Sequence, residues 1–314
     1  MVEQNKLTIL VSGGAGFIGS NIVDAYLSQG HQVIVLDNLS TGKRENVPSK
    51  VKFYQLDLND SGLDRIFTEN KIDIINHHAA QMDVRKSVMD PMFDANVNIV
   101  GFLNLLERAR KHNVKKIIFS STGGAIYGEQ YYFPADEEHK TQPLSPYGIS
   151  KLATEKYLYY YKEIYGIDYI ILRYANIYGP RQNPHGEAGV VAIFIEKMLR
   201  KGQPFINGDG KQSRDFVFVG DVVDANLRAL HFQGSEIINI GTGIETDINS
   251  IFKSLKKIIG SSCNELYHPA KPGEQIRSLI SNQKAERLLN WKPTYSIEEG
   301  LKLTVEYFRK QISE

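Results

Sequence analysis

The sequence predicts an α/β protein built on a doubly wound parallel sheet, with a smaller, mixed lobe toward the C-terminus. Three observations carry this. Short Val- and Ile-rich runs alternate with amphipathic stretches through the first half. Those runs are nearly continuous in hydrophobicity, as in parallel strands buried on both faces. After Asn176 the texture turns irregular and rich in turn residues, as in a lobe attached to a regular core.

In order, Thr8–Ser12 is the first strand, and the stretch Gly19–Gln29 is the first helix. Strands follow at Gln32–Leu36, Lys52–Gln55 and Asp73–His77, then a helix over Asp94–Lys111 and a strand at Lys116–Ser120. The long helix Pro146–Tyr165 and the strand Tyr169–Tyr174 complete the βαβ series. Beyond the loop Tyr178–Gly186 lie a helix near Val190–Arg200, a turn-rich stretch Pro204–Gly210 and a strand at Glu236–Ile240. Two more helices are expected near Asn249–Ile259 and Ile297–Gln311. Five tyrosines between Tyr157 and Tyr165 have spacing helical enough for packing.

Composition sets the outer limits. At 314 residues the chain is long enough for about two domains. With 42% hydrophobic and 23% charged residues it is neither disordered nor fibrous. Lys plus Arg (37) balances Asp plus Glu (36), so no global field recruits nucleic acid or an anionic membrane. Cys263 is the single cysteine, which excludes an internal disulfide and Cys-based metal sites. No run of 18 apolar residues occurs, and the chain runs almost directly into Leu7-Thr-Ile-Leu-Val11 without a cleavable leader pattern. A soluble protein of a reducing compartment, the cytoplasm, is expected.

Gly13-Gly-Ala-Gly-Phe-Ile-Gly19 follows the first strand and opens the first helix. Bare backbone at such a turn admits a pyrophosphate, and the helix start offers it free N–H groups. Asp37 comes about 20 residues on, at the end of the second strand, where a ribose-binding carboxylate belongs. A carboxylate there repels a 2′-phosphate, and the next residue is Asn38 rather than Arg, so NAD is favoured over NADP; Lys43 and Arg44 lie close by. The alternative role for Asp37 is a simple loop cap, but strand, glycines and acid in register favour dinucleotide binding.

Tyr147 and Lys151 are four apart on the long helix and share one face. An ammonium near a phenol favours the phenolate and should draw Tyr147 down toward neutrality, where it can act as an acid–base group. Ser120-Ser-Thr122 lies at a strand carboxyl end, where open α/β sheets place ligands. Tyr267 and Lys271 repeat the spacing, but Pro269 breaks any helix between them. His77 and His78 are adjacent on a strand, point to opposite faces and cannot share a metal ion. Asn38-Leu-Ser40 matches a glycosylation acceptor without meaning in the cytoplasm, and Trp291 and Cys263 receive no role.

With these residues in view, the chain resembles the extended short-chain dehydrogenase/reductase family, and within it the UDP-glucose (UDP-galactose) 4-epimerases, over essentially its full length. The resemblance rests on Gly13–Gly19, Asp37-Asn38, Asp57-Leu58, Ala79-Ala80, Asn96, Ser120-Ser-Thr122, Tyr147…Lys151 and Leu172-Arg-Tyr-Ala-Asn176. It implies a Rossmann-type NAD domain over residues 1–175 carrying the catalytic groups, and a nucleotide-sugar lobe over 176–314, with some segments returning to the first domain. It implies NAD held tightly, with Gly13, Gly16, Phe17 and Ile18 along the pyrophosphate and Asp37, Asn38 and Ser40 at the adenosine ribose. Asp57 and Leu58 would border the adenine, with Ala79, Ala80, Gln81 and Asn96 along the rest. Tyr147 would take the sugar's 4-hydroxyl proton, assisted by Thr122, while Lys151 binds the nicotinamide ribose. Asn176, Val190 and Arg214 would hold the nucleotide diphosphate, and Lys271 and Glu274 would close over it.

The chain also departs from the pattern. Thr122 replaces a common serine but keeps the hydroxyl, and its loop to Gly128 is one residue longer than the shortest version. Asn207 replaces the aromatic that usually helps enclose uracil. Ser278 stands where a bulky residue narrows the sugar pocket of hexose-specific members, so UDP-N-acetylhexosamines stay open. A 4,6-dehydratase or uronate decarboxylase is disfavoured, because Gly123 and Gly124 follow Thr122 where a dehydratase needs a carboxylate. A uronate epimerase would want an extra cation, from Arg181 or Arg85. In a different class stands a non-catalytic NAD-binding protein, which has no need of the tyrosine–lysine pair. Surplus apolar faces on Asp94–Lys111 and Pro146–Tyr165 predict a homodimer.

Overall fold

A computed structural model describes residues 6–185, 189–270 and 275–313. The first six strands are β1 (Thr8–Ser12), β2 (Gln32–Leu36), β3 (Lys52–Tyr54), β4 (Ile74–His77), β5 (Lys116–Thr122) and β6 (Asp168–Tyr174). Then come β7 (Asn176–Tyr178), β8 (Ile206–Asn207), β9 (Ser213–Phe218), β10 (Glu236–Ile240), β11 (Glu245–Asp247), β12 (Tyr267–His268) and β13 (Arg277–Ser278). The main sheet has seven strands in the order β10-β6-β5-β4-β1-β2-β3, every pairing parallel. This is the doubly wound, Rossmann-type arrangement, with the strand order reversing between β1 and β4. The seventh strand, β10, comes from beyond residue 175 and pairs with β6.

Both faces of the sheet are dry, which is why its strands read as continuous apolar runs. Ile9, Val11, Val33, Val35, Ile118 and Ile170 pack into one core beneath the helices Phe17–Ser28 and Val219–His231. Their neighbours Leu10, Ile34, Ile117, Phe119 and Ile171 pack into the other, beneath Gly101–Lys111 and Pro146–Tyr165. A third core joins the helices Val190–Leu199, Ile248–Ile259 and Ile297–Ser313 around Phe194, Phe252 and Leu301. A small sheet of β11-β9-β13, with β7 also on β9, and a separate β8–β12 pair complete the region beyond β6.

The strand β9 and the helix Val219–His231 have no counterpart in the expectation, and three features near the site differ in detail. The helix expected at Asp94 starts at Pro91, where proline suits the first turn, and Asp90 caps it by accepting from Phe93 N–H. Within that run Asn96–Val100 is a π-helical segment, a wide turn that sequence periodicity does not reveal. Strand β5 runs two residues further than expected, to Thr122, because Ser121 and Thr122 still pair with Arg173 and Tyr174. Of the five clustered tyrosines only Tyr161 is buried; Tyr157, Tyr159, Tyr160 and Tyr165 stay exposed. Among the described residues, no helix is long and apolar enough to cross a membrane.

Candidate active site

The glycine loop is shaped by contacts that leave no room for side chains. Gly13 sits at φ +73°, and a Cβ there would lie 2.5 Å from the backbone nitrogen of Ala79. A Cβ on Gly19 would come within 2.2 Å of the Gly13 carbonyl. The helix Phe17–Ser28 therefore starts directly against β1, and its N-cap, Gly16, has no side chain to satisfy the first-turn N–H groups. Those donors are left for a ligand.

Asp37 is buried, and its two oxygens accept the backbone N–H groups of Ala15 (3.0 Å) and Leu39 (2.8 Å). The acid is thus fastened to the glycine loop itself. Asn38 donates to Asp57 (2.7 Å), and its own oxygen accepts Ser40 N–H (2.9 Å). Leu58 is buried beside Gly101, and Asn59 donates to the Asn96 carbonyl (3.4 Å). Arg44 lies over Phe53 and donates to the Val47 carbonyl, and Lys43 pairs with Glu45, so both nearby cations are engaged within their own loop.

Ala79 and Ala80 follow β4 immediately, and Gln81 is clasped by Asn98: the Gln81 N–H donates to Asn98 Oδ1 and Asn98 Nδ2 donates back to the Gln81 carbonyl, each at 2.9 Å. The Gln81 side chain turns inward to Asp83 and Asp94, so toward a ligand it offers backbone only. Asn96, by contrast, is exposed. The residues from Gly13 to Asn98 form one elongated cradle along the carboxyl ends of β1 to β4.

The catalytic candidates lie on β5 and on the helix Pro146–Tyr165, with Lys151 Nζ 6.0 Å from the Tyr147 ring centroid. Ser145 caps the helix Pro146–Tyr165, with proline in its first turn and Gly166 closing it in the left-handed conformation. Tyr147 donates its backbone N–H to Ser87 (3.2 Å), which ties this helix start to the helix Val84–Met89. One turn on, Lys151 is 4% exposed; its Nζ donates to the Ser120 carbonyl (2.9 Å) and lies over the Phe119 ring. Thr122 caps the short helix Gly123–Ile126 by accepting Ala125 N–H (3.2 Å), which leaves its hydroxyl proton for another acceptor. A Cβ on Gly124 would lie 3.7 Å from Asn176 Oδ1 and 3.8 Å from Thr122 Oγ1, so these two side chains converge.

Electrostatics corrects one expectation. Lys151 does not draw the phenol of Tyr147 down; burial pushes it upward, and Asp94 adds to the rise. Burial outweighs the lysine because Nζ lies 6.0 Å from the ring centroid and points at Ser120. Lys151 is itself lowered to about 8 by burial, opposed by Asp94 and Glu155. Without ligand the pair is a protonated phenol beside a readily titrated lysine.

On the substrate side, Arg214 donates to the Ser213 carbonyl and is registered beside Ser278, which is 3% exposed. Val190 opens the helix Val190–Leu199. Lys271 and Glu274 lie outside the described residues. Arg181 pairs with Asp24 on the first helix (2.7 Å). His77 and His78 do face opposite ways: His77 bonds Ser12 and stacks on Phe119, while His78 stacks on Tyr174.

A scan for protein families matches residues 9–241 to the NAD dependent epimerase/dehydratase family. The chain belongs to that family. It is 51% identical to a solved UDP-glucose 4-epimerase of Thermotoga maritima with UDP-glucose, TM-score 0.96, over 98% of this chain and 100% of that one. It is 45% identical to a Thermus thermophilus UDP-glucose 4-epimerase complexed with NAD, TM-score 0.93, over 96% and 99%. It is 43% identical to the UDP-glucose 4-epimerase of Mycolicibacterium smegmatis, over 96% and 98%.

The sequence alone does not reveal a buried network that supports the helix Pro146–Tyr165. Glu155 accepts from Ser121 (2.6 Å) and, through both oxygens, from Arg173 (3.0 and 2.6 Å). Arg173 also donates to Tyr127, whose hydroxyl donates to Asn239 (2.7 Å) on β10. The available signal was the spacing Tyr147, Lys151, Glu155, successive steps of four on one helix face.

Proposed function

We propose that the protein is an NAD-dependent nucleotide-sugar 4-epimerase that interconverts UDP-galactose and UDP-glucose through a transient 4-keto sugar. The observation that carries this is the Tyr147–Lys151 pair, its ammonium 6.0 Å from the phenol ring and bonded to the Ser120 carbonyl two residues before Thr122, beside the strand ends that carry Gly13 to Asn98. The cradle suits a dinucleotide: an open helix start for the pyrophosphate, a buried carboxylate at Asp37 for a ribose, and a Gly13 contact that a Cβ would block. When bound, NAD supplies the hydride acceptor for C4 and a positive charge that joins Lys151 in offsetting the burial of the phenol.

Tyr147 removes the sugar's 4-hydroxyl proton, and the Thr122 hydroxyl donates to the same oxygen as charge develops there. Lys151, fixed to the Ser120 carbonyl, holds its ammonium 6.0 Å from the phenol ring centroid and would hold the nicotinamide ribose of bound NAD. The 4-keto sugar turns in the cleft, and Tyr147 returns the proton when the opposite face of C4 is reduced. Asn176 and Arg214 are assigned to the nucleotide diphosphate and Val190 to the substrate; Lys271 and Glu274, assigned to the same substrate by the resemblance, lie outside the described residues.

A second substrate class is favoured by one observation. Ser278 is small and buried beside Arg214, which leaves space for an N-acetyl group and admits UDP-N-acetylhexosamines. The exposed apolar side chains Val88, Met89, Met92, Ile149, Tyr157 and Ile164, on the helices Val84–Met89, Pro91–Ala95 and Pro146–Tyr165, support a homodimer. We assign the protein to the cytoplasm, the reducing compartment that holds NAD and UDP-sugars; Cys263 is unpaired.

The test is incubation of the purified protein with UDP-galactose and with UDP-N-acetylgalactosamine, each without added NAD, with products identified by proton NMR. Formation of the 4-epimer supports the proposal. No product from either, with NAD then supplied, overturns it.

A further inference from the structure

The interior beside the catalytic pair holds a carboxylate that the proposed reaction does not use. Asp94 is 0% exposed. Its Oδ1 accepts from Asn98 Nδ2 and Gln81 Nε2, each at 3.0 Å, and its Oδ2 from Ser150 Oγ at 2.5 Å. The orientation of both amides is fixed by backbone groups. Asn98 exchanges two hydrogen bonds with the backbone of Gln81, and Gln81 exchanges two with the backbone of Asp83. Asp94 therefore faces donors only, the environment that suits the ionised form. The donors are neutral, so they solvate the charge without cancelling it. Asn98 lies four residues after Asp94, about one helical turn on, so the two side chains share a face.

Ser150 ties this carboxylate to the residue before Lys151 and three after Tyr147. Around the ammonium, Glu155 is already spent on Arg173 and Ser121. Phe119 lies beneath it, and His77 at the end of β4 and His78 just after it are held neutral by burial. On the helix Val84–Met89, Lys86 lies over Phe93, and Arg85 engages a partner of its own.

We propose that Asp94 is the resident counter-charge of the Tyr147–Lys151 pair, a positioning residue that keeps Lys151 ionised in a site with little water. It acts through the field of a fixed, fully solvated carboxylate and touches neither sugar nor cofactor. The same field opposes loss of the phenol proton until ligands add positive charge, in keeping with the direction found for both groups. The proposal rests on the catalytic reading of this pair.

Asp94→Asn is the informative variant, since the side-chain oxygen can keep accepting from Asn98 and Gln81 while Ser150 reverses its hydroxyl. Protein labelled with [ε-13C]lysine is titrated by NMR, with the Lys151 signal identified by its loss in Lys151→Met. The expected result is an acid shift of Lys151 by about half a pH unit or more in Asp94→Asn and an unmoved titration in Ser150→Ala, which keeps the charge. An unchanged titration in folded Asp94→Asn overturns the proposal. If Asp94→Asn does not fold, the double variant with Lys151→Met decides. A cooperative urea transition regained in the double variant supports a charge pair, and a double variant that also fails to fold overturns it. The titration requires no turnover, so it separates this proposal from failure to form an epimer.

Discussion

Gly13→Ala isolates the contact on which the cofactor cradle depends. The new methyl would sit 2.5 Å from Ala79 N and 2.6 Å from the His78 carbonyl carbon, both backbone atoms that cannot rotate away. The residue must also hold φ +73°. The conformational cost is about 1–2 kcal/mol and the forced separation of two chain segments adds about 1–3 kcal/mol. Gly30→Ala is the matched control: its φ is +81°, but nothing lies within 4 Å of the new Cβ. It bears the conformational cost alone, about 1–2 kcal/mol. At about 2 °C per kcal/mol for a chain of this size, Gly13→Ala should lower the melting temperature by about 4–10 °C and Gly30→Ala by about 2–4 °C. The two differ more sharply in cofactor. Moving Ala79 away from the loop opens the pyrophosphate site, so Gly13→Ala should be isolated without bound NAD while Gly30→Ala retains it, as read by nucleotide released on denaturation. Equal losses of stability with NAD retained in both would refute the steric argument.

Three further outcomes follow from the same geometry. Tyr147→Phe should keep nucleotide binding and fold while turnover falls by about 10²–10⁴-fold, because its half-buried phenol is the proposed proton carrier; near-normal kcat assigns that role elsewhere. Glu155→Gln should destabilise the chain by about 3–5 kcal/mol in urea unfolding, since it strands the Arg173 guanidinium, 3% exposed, beside Tyr127. His78 has its pKa pushed down to about 3, by burial first and Lys151 second, with Asn226 opposing the fall. The unfolded chain takes up that proton near 6.5 and the folded chain does not, so stability should fall by several kcal/mol as pH drops from about 6.5 toward 3. His78→Phe should flatten that fall.

The main sheet was legible because parallel strands buried on both faces leave continuous Val- and Ile-rich runs, as at Ile9–Val11 and Gln32–Leu36. The glycine loop and Asp37 were legible for a related reason: backbone crowding at Gly13 and Gly19 admits no side chain, and that constraint is local in sequence. What sequence hid was either non-local or set by burial. Glu155 and Arg173 meet across 18 positions, and Gln81 reaches Asp94 across 13. The ionisation of Tyr147 was misjudged from spacing, since the neighbouring ammonium is outweighed by the loss of solvent around the ring.

The central claim is that C4 of the sugar loses its hydrogen and regains the same one on the opposite face, with Tyr147 carrying the hydroxyl proton. Conversion of UDP-[4-²H]galactose in ordinary water, with no NAD added, tests it directly by mass and proton NMR of the product. Deuterium retained at C4 of UDP-glucose is the predicted result. Deuterium lost to solvent, or no UDP-glucose from a protein that carries NAD, contradicts the account.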